Sequence, residues 1–215
     1  MSRRLVRVGL GGLIASGKSS LAAALVASGE LQETIGGAVE HLDVDALLRA
    51  ARSSDASLRD AILTAVPDAR RADGTLDTKA LAVRAFADPA VMHRLEELQW
   101  PVVRAALSEA SRVAEERGVR LLLVEAIALG RSGLAEVLDG VLYLQVDEAV
   151  RRQRFVTRGG SADDFELRNA AQAAIPAEMT GIGAVPIDGN GPLPDSVRTT
   201  SLVLSRLCLQ GESID

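Results

Sequence analysis

Cysteine is nearly absent: Cys208 is the only one in 215 residues, so no intramolecular disulfide can form and a reducing compartment is the simplest home. Histidine is almost as scarce, with only His41 and His93. One cysteine and two histidines cannot supply the ligands of an ordinary structural zinc site. Aromatic residues make up 2% of the chain, too few for a platform on which single-stranded bases stack. Positive charge is in deficit as well. The 24 Lys and Arg against 29 Asp and Glu leave a net charge of -5, the reverse of a nucleic-acid footprint. No apolar run approaches the ~20 residues that cross a bilayer. The opening Met1 to Leu10 has the basic start of a secretory leader, but Arg7 interrupts its apolar stretch and glycines follow at once. The expectation is a cytoplasmic protein of small-molecule chemistry, with neither nucleic acid nor membrane among its partners.

What is present reads as an ordinary soluble domain, 47% hydrophobic and 25% charged. Short apolar runs at Leu5–Leu10, Ala38–Leu42, Arg120–Glu125, Val141–Val146 and Ala184–Ile187 read as five strands. Helical patterns lie between them. The first starts at Lys18 and is expected to stop at Gly29, the next covers Ala46 to Arg52, and residues 53 to 115 are mostly helical, with Asp88 as an N-cap before Pro89. Pro101 is expected to restart a helix over Val102 to Glu116. A basic helix spans about Glu148 to Arg158, and a last one follows Pro194. Strands alternating with helices mean a parallel, doubly wound α/β sheet, capped at one end by the long helical insertion.

Gly12-Leu13-Ile14-Ala15-Ser16-Gly17-Lys18-Ser19 satisfies G-x-x-x-x-G-K-[ST] between a strand and a helix, and Ser20 follows it. Glycines let backbone N–H groups approach phosphate oxygens, and the helix N-terminus beyond them favours negative charge. In such a loop Lys18 bridges the β- and γ-phosphates and the Ser19 hydroxyl ligates Mg²⁺. The chain therefore binds a nucleotide. A GTPase would add a guanine-reading N-K-x-D, which is absent. Glu125, closing the run Leu121 to Val124, imitates a Walker-B acid but lacks a second acid after it.

Asp43 and Asp45 lie two apart just past the second strand, facing one side if the chain is extended. A carboxylate here can take the proton of an attacking hydroxyl or hold Mg²⁺ through water. Equally, Asp45 can be the N-cap of a helix starting at Ala46, with Asp43 a solvated loop acid. His41, on the same line, is expected at the surface.

Taken in order, these pieces resemble the dephospho-CoA kinase family. The phosphate loop comes first, and Leu42-Asp43-Val44-Asp45 resembles the family's D-A-D segment. Ala72 to Asp77, Ala80-Leu81, Phe86, Asp88-Pro89, Leu95-Glu96 and Pro101 resemble its acceptor-binding insertion. Leu121 to Glu125 is similar to its L-L-x-E strand, and Val141 to Arg158 to its fourth strand and arginine-bearing helix. Arg168 with Ala170-Ala171-Gln172 resembles its R-x-A-x-Q lid, and Ile187 to Gly191 its I-x-N-x-G turn.

The resemblance implies a three-layer P-loop kinase fold and ATP-dependent phosphorylation of the 3′-hydroxyl of dephospho-CoA, with Mg²⁺. It implies a nucleotide-binding core over 1–50, 116–152 and 180–215, an acceptor-binding insertion over 51–115, and a lid over 153–179. Asp45 is then the base and Asp43 a water-mediated Mg²⁺ contact. Arg154 and Arg158 neutralise the transferring phosphoryl, from a helix face that also carries Arg151. Three departures stand out. Leu13 and Ala15 replace glycines of the family's G-G-I-G-S-G-K-S, Trp100 stands where histidine is usual, and no Lys or Arg occurs from Asn169 to Val197. Two other readings stay open on the residues alone. One is a kinase of the same architecture acting on another small alcohol or nucleotide; the other is a nucleotide-binding regulatory protein without catalysis.

Overall fold

The computed structural model describes residues 4–209, so the extreme ends of the expected core segments lie outside the described residues. Strand β1 is Val6–Gly12, β2 is Val39–Asp43, β3 is Leu121–Glu125, β4 is Gly140–Gln145 and β5 is Val185–Asp188. They make one parallel sheet in the order β2-β3-β1-β4-β5. The near-unbroken apolar sequences of β1, β3 and β4 suit strands covered on both faces. Alternation along β3 divides them: Leu122 and Val124 join an apolar cluster with Val103, Leu107 and Tyr143 on one face. Leu121 and Leu123 join Val8, Leu21 and Leu204 on the other. Each such leucine withdrawn from water stabilises the fold by about 1.5–3 kcal/mol.

The helices are α1 Lys18–Val26, α2 Gly29–Ile35, α3 Val44–Ser54, α4 Ala56–Ala65, α5 Thr78–Ala87 and α6 Pro89–Glu116. After β4 come α7 Glu148–Thr157, α8 Ala162–Ala171, α9 Ile175–Gly181 and, beyond β5, α10 Leu193–Leu209. The insertion has a core of its own, in which Ile62, Leu63, Leu81 and Leu95 pack together.

Two helix limits differ from those the sequence implies. Gly29 does not stop α1. That helix ends at Val26, and Gly29 instead opens α2, whose N-cap Ser28 accepts a hydrogen bond from Leu31 N at 3.2 Å. The left-handed stop is Gly36, with φ 70°. Pro101 likewise restarts nothing, since α6 runs unbroken through it for 28 residues. Proline removes one helical donor, yet Leu95 before it is packed in the insertion core and Val103 and Leu107 after it in the sheet-facing core. Packing at both ends overrides the local preference.

The sheet register brings the carboxyl ends of three strands to one place. Leu10 pairs with Glu125, and Asp43 pairs with Glu125 from the other side. Crevices at the carboxyl ends of parallel strands are where such sheets take their ligands.

Candidate active site

The phosphate loop follows β1 and turns into α1. Two backbone conformations set its shape: Gly17 sits at φ 101° and Ala15 at φ 57°, the one non-glycine with positive φ among the described residues. A side chain on Gly12 would meet Ser16 Oγ at 2.7 Å and the carbonyl of Leu144 at 3.1 Å, so the tight turn there requires glycine. Gly17 caps α1 without a side-chain acceptor, and the first intrahelical bond runs from Leu21 N to Gly17 O. The amides of Lys18, Ser19 and Ser20 are thus left for a ligand. Ser16 Oγ is buried without a hydrogen-bond partner, a polar atom that an anion's oxygen would satisfy. Lys18 is 8% exposed, and its ammonium donates to the carbonyls of Gly12 (2.9 Å) and Leu13 (3.5 Å). Burial lowers its pKa from the ordinary value, against the pull of Glu125, Asp45 and Asp43. A buried cation among acids, held only by carbonyls, is chemically suited to a phosphate.

The three acids occupy different places. Asp43 is the last residue of β2 and the N-cap of α3, where its carboxylate accepts from Ala46 N at 2.8 Å. The helix begins at Val44, two residues earlier than the sequence implies, so the pair does not lie along an extended chain. Asp45 is not the cap; it stands in the first turn of α3. Its surface is accessible, but it opens into a cavity walled by protein. Desolvation there raises its pKa above the ordinary carboxylate value, with Asp43 and Glu125 adding and Lys18 and Arg49 opposing.

Glu125 is the group sequence reasoning undervalued. It is 4% exposed, accepts from Ser19 Oγ at 2.7 Å through one oxygen, and from His41 Nε2 at 3.1 Å through the other. Burial works against its charge, but those two hydrogen bonds and Lys18 outweigh it and hold the carboxyl below the ordinary value. The signal was an acid closing an apolar strand. His41, expected at the surface, is half-buried and holds this carboxylate from β2. Placed two residues before Asp43, it shares that side of the strand.

Two cavities flank the loop. The larger, about 610 Å³, is walled by α3, α5, α6 and α8, and Asp45, Phe86 and Trp100 line it. The smaller, about 210 Å³, is lined by Ser16, Gly17, Ser20, Arg154, Arg158 and Gly189. Arg154 donates to Ser16 O at 2.9 Å and to Gly189 O at 2.8 Å, tying the phosphate loop to the turn after β5. Arg158 lies at the C-cap of α7. Arg151, on the same helix, is 4% exposed and bonds Asn169 Oδ1 at 2.9 Å, which makes it a fixture between α7 and α8. Gln172, just past α8, accepts from Ile14 N at 2.7 Å, so that amide of the loop is already engaged. The Leu13 side chain is accommodated against the core cluster that also takes Trp100.

A family model described as dephospho-CoA kinase matches residues 6–191. A curated dephospho-CoA kinase of Anaeromyxobacter dehalogenans is 35% identical over 170 residues, 78% of this chain and 76% of the relative. One of Geobacter sulfurreducens is 35% identical over 188 residues, covering 86% and 89%. A solved structure from Thermus thermophilus superposes with a TM-score of 0.72 at 30% identity, over 95% of this chain and 98% of that one. A solved dephospho-CoA kinase from Campylobacter jejuni shares the fold at 16% identity, with a TM-score of 0.57 over 96% of this chain and 98% of that one.

Proposed function

This chain belongs to the dephospho-CoA kinase family, and on that footing we propose how its residues move the γ-phosphoryl group of ATP to the 3′-hydroxyl of dephospho-CoA. One observation carries the reading. Asp45 lines the larger cavity together with Ile14 of the phosphate loop, and it stands two residues beyond Asp43, whose strand partner Glu125 holds Ser19 of that loop. Donor and acceptor sites meet at that carboxylate.

The nucleotide's phosphates lie on the loop from Gly12 to Ser20. The free amides of Lys18, Ser19 and Ser20 bind them, the Ser16 hydroxyl gains its missing partner, and the Lys18 ammonium exchanges carbonyls for β- and γ-phosphate oxygens. Arg154 and Arg158 border the smaller cavity beside Ser16 and Gly17 of the loop, and from there they neutralise the transferring phosphoryl. With no Lys or Arg from Asn169 to Val197, that task falls to the α7 end of the lid rather than to the segment after α8. Asp45 accepts the proton of the attacking 3′-hydroxyl. Its raised pKa brings it nearer the working pH and so makes it a better base.

The oxygen donors here suit Mg²⁺, which takes one or two protein oxygens and fills its shell with phosphates and water. No ready-made cluster of three His, Cys, Asp or Glu exists among the described residues, in keeping with that habit. Ser19 Oγ would ligate the ion directly and Asp43 through water. Because the Ser19 proton is committed to Glu125, its lone pairs stay free to ligate. When bound, the ion supplies charge neutralisation at the phosphates.

We assign the core to 1–50, 116–152 and 180–215, the acceptor-binding insertion to 51–115 and the lid to 153–179. Arg131 spans them, donating to Glu96 of α6 at 2.8 Å and to Glu178 of α9 at 3.1 Å. Closing these parts over the acceptor excludes water and favours transfer over hydrolysis. The cytoplasm is the proposed location; among the described residues no helix is long and apolar enough to cross a membrane. The test is product formation. Purified protein with Mg²⁺, ATP and dephospho-CoA should yield CoA, followed by mass, at about 1–100 per second. ATP binding with no CoA formed would overturn the acceptor assignment.

A further inference from the structure

Four arginines line the larger cavity: Arg49, Arg52, Arg131 and Arg168. Three have a carboxylate. Arg49 stands 3.9 Å from Asp43, Arg131 is clasped by Glu96 and Glu178, and Arg168 bonds Asp164 at 2.9 Å while its guanidinium lies 5.2 Å from the centre of the Phe86 ring. Arg52 differs. Its Nε donates at 3.1 Å to the side-chain oxygen of Gln99, and its Nη2 donates to the same atom, so its partner is a neutral carboxamide. Gln99 is itself locked, 5% exposed and donating through Nε2 to Leu95 O at 2.8 Å. Of the five guanidinium N–H groups, two are used by Gln99 and three remain. Burial weighs against the Arg52 charge and the nearby Asp45 supports it.

Holding a half-buried cation against a neutral group is unfavourable unless an anion arrives to complete it. Arg52 lies seven residues beyond Asp45 on α3, two turns along the same helix face and about 10 Å of rise. The proposed acceptor has matching parts, a 3′-hydroxyl and a 5′-diphosphate carried on one ribose. We infer that Arg52, steadied by Gln99, is the diphosphate-binding residue of the acceptor cavity and sets the preference for a diphosphate-bearing acceptor over a bare nucleoside. The inference rests on the acceptor reading above. Gln99 orients the guanidinium through Nε and Nη2 without neutralising it, leaving the other N–H groups to fork onto phosphate oxygens.

Calorimetric titration of the full-length protein, its nucleotide site saturated with Mg²⁺ and a non-hydrolysable ATP analogue, tests this. Dephospho-CoA and adenosine are the two probes; Arg52→Gln and Gln99→Glu are the variants. Gln99→Glu sets a carboxylate against Arg52 but loses the Nε2 bond to Leu95 O. Arg52→Lys is therefore added, which keeps the charge without the fork and should retain more dephospho-CoA affinity than Arg52→Gln. Arg52→Gln and Gln99→Glu should each weaken dephospho-CoA by about 10- to 100-fold while adenosine changes far less, so the ratio of the two affinities collapses. Dephospho-CoA binding within about twofold of wild type in Gln99→Glu overturns the inference, as does an equal loss for both probes. Product formation by the wild type is scored separately. Wild-type protein that binds dephospho-CoA without converting it overturns the transfer reading and leaves Arg52 to the titration; wild-type protein that does not bind it overturns both.

Discussion

The phosphate loop and the cavity proposed for the acceptor are both near Asp45, yet they are built in opposite ways. The loop is nine consecutive residues, Gly12 to Ser20, and most of what it offers is backbone: amides at a helix start, a close turn at Gly12, positive φ at Ala15 and Gly17. The cavity is side chains drawn from α3, α5, α6 and α8, far apart in sequence. The difference follows from the ligands. A polyphosphate looks the same on every nucleotide, so a fixed array of amides and one lysine is enough. An acceptor must be told from its competitors, and that takes charges and rings placed individually.

The comparison breaks most sharply at Lys18. Lys18→Ala should lower kcat by about three orders of magnitude while dephospho-CoA still binds, since the lysine belongs to the loop alone. Rapid-quench kinetics alongside calorimetry checks it, and retained transfer would sink the mechanism. Asp45 sits on the border, and Asp45→Asn should cost about 10²- to 10⁴-fold in kcat. In the wild type the rate should fall as pH drops through a carboxyl value above the ordinary range, because the base must be ionised and desolvation raises its pKa. That acidic limb should be missing from the residual rate of the variant. Stability should move the other way. A carboxyl whose pKa is higher folded than unfolded destabilises the fold once ionised, so the variant should melt above the wild type at neutral pH. The gap should close as pH falls through the carboxylate range. Thermal melts across that range decide the point, and a lower melting temperature for the variant at neutral pH would count against the raised pKa.

Legibility follows the same division. The loop was readable because backbone geometry writes itself into short-range sequence: glycines, a lysine and a hydroxyl at fixed spacing between an apolar run and a helix. The strands were readable within a residue or two for the same reason. The acid triad was half readable. Asp43 and Asp45 were found, but which one caps α3 depends on where the helix begins, and that is set by Asp43 bonding Ala46 N. Glu125 was visible as an acid closing a buried strand, but its bonds to Ser19 and His41 arise from the pairing of β2 with β3, which no local pattern encodes. Arg52 and Gln99 left no trace at all. They are 47 residues apart and meet only because α3 packs on α6. Pro101 misled for a related reason, since a local rule was overridden by packing on both sides of it.

The smallest expected effect sharpens the loop's side of the comparison. Ala15 holds φ 57°, in the left-handed region, where a Cβ costs about 1–2 kcal/mol. Glycine, which the family pattern places there, relieves that strain but adds freedom to the unfolded chain worth about 0.5–1 kcal/mol. Ala15→Gly should therefore stabilise by about 0–1.5 kcal/mol and raise Tm by no more than about 6 °C. Its effect on dephospho-CoA affinity should be nil, because the strain is stored in backbone that faces phosphate and not in the cavity. A lower Tm would mean that the loop's bonds, Ile14 N to Gln172 and Ser16 N to Leu13 O among them, hold Ala15 in this conformation with little strain. The alanine would then be as well suited to the turn as the glycine it replaces.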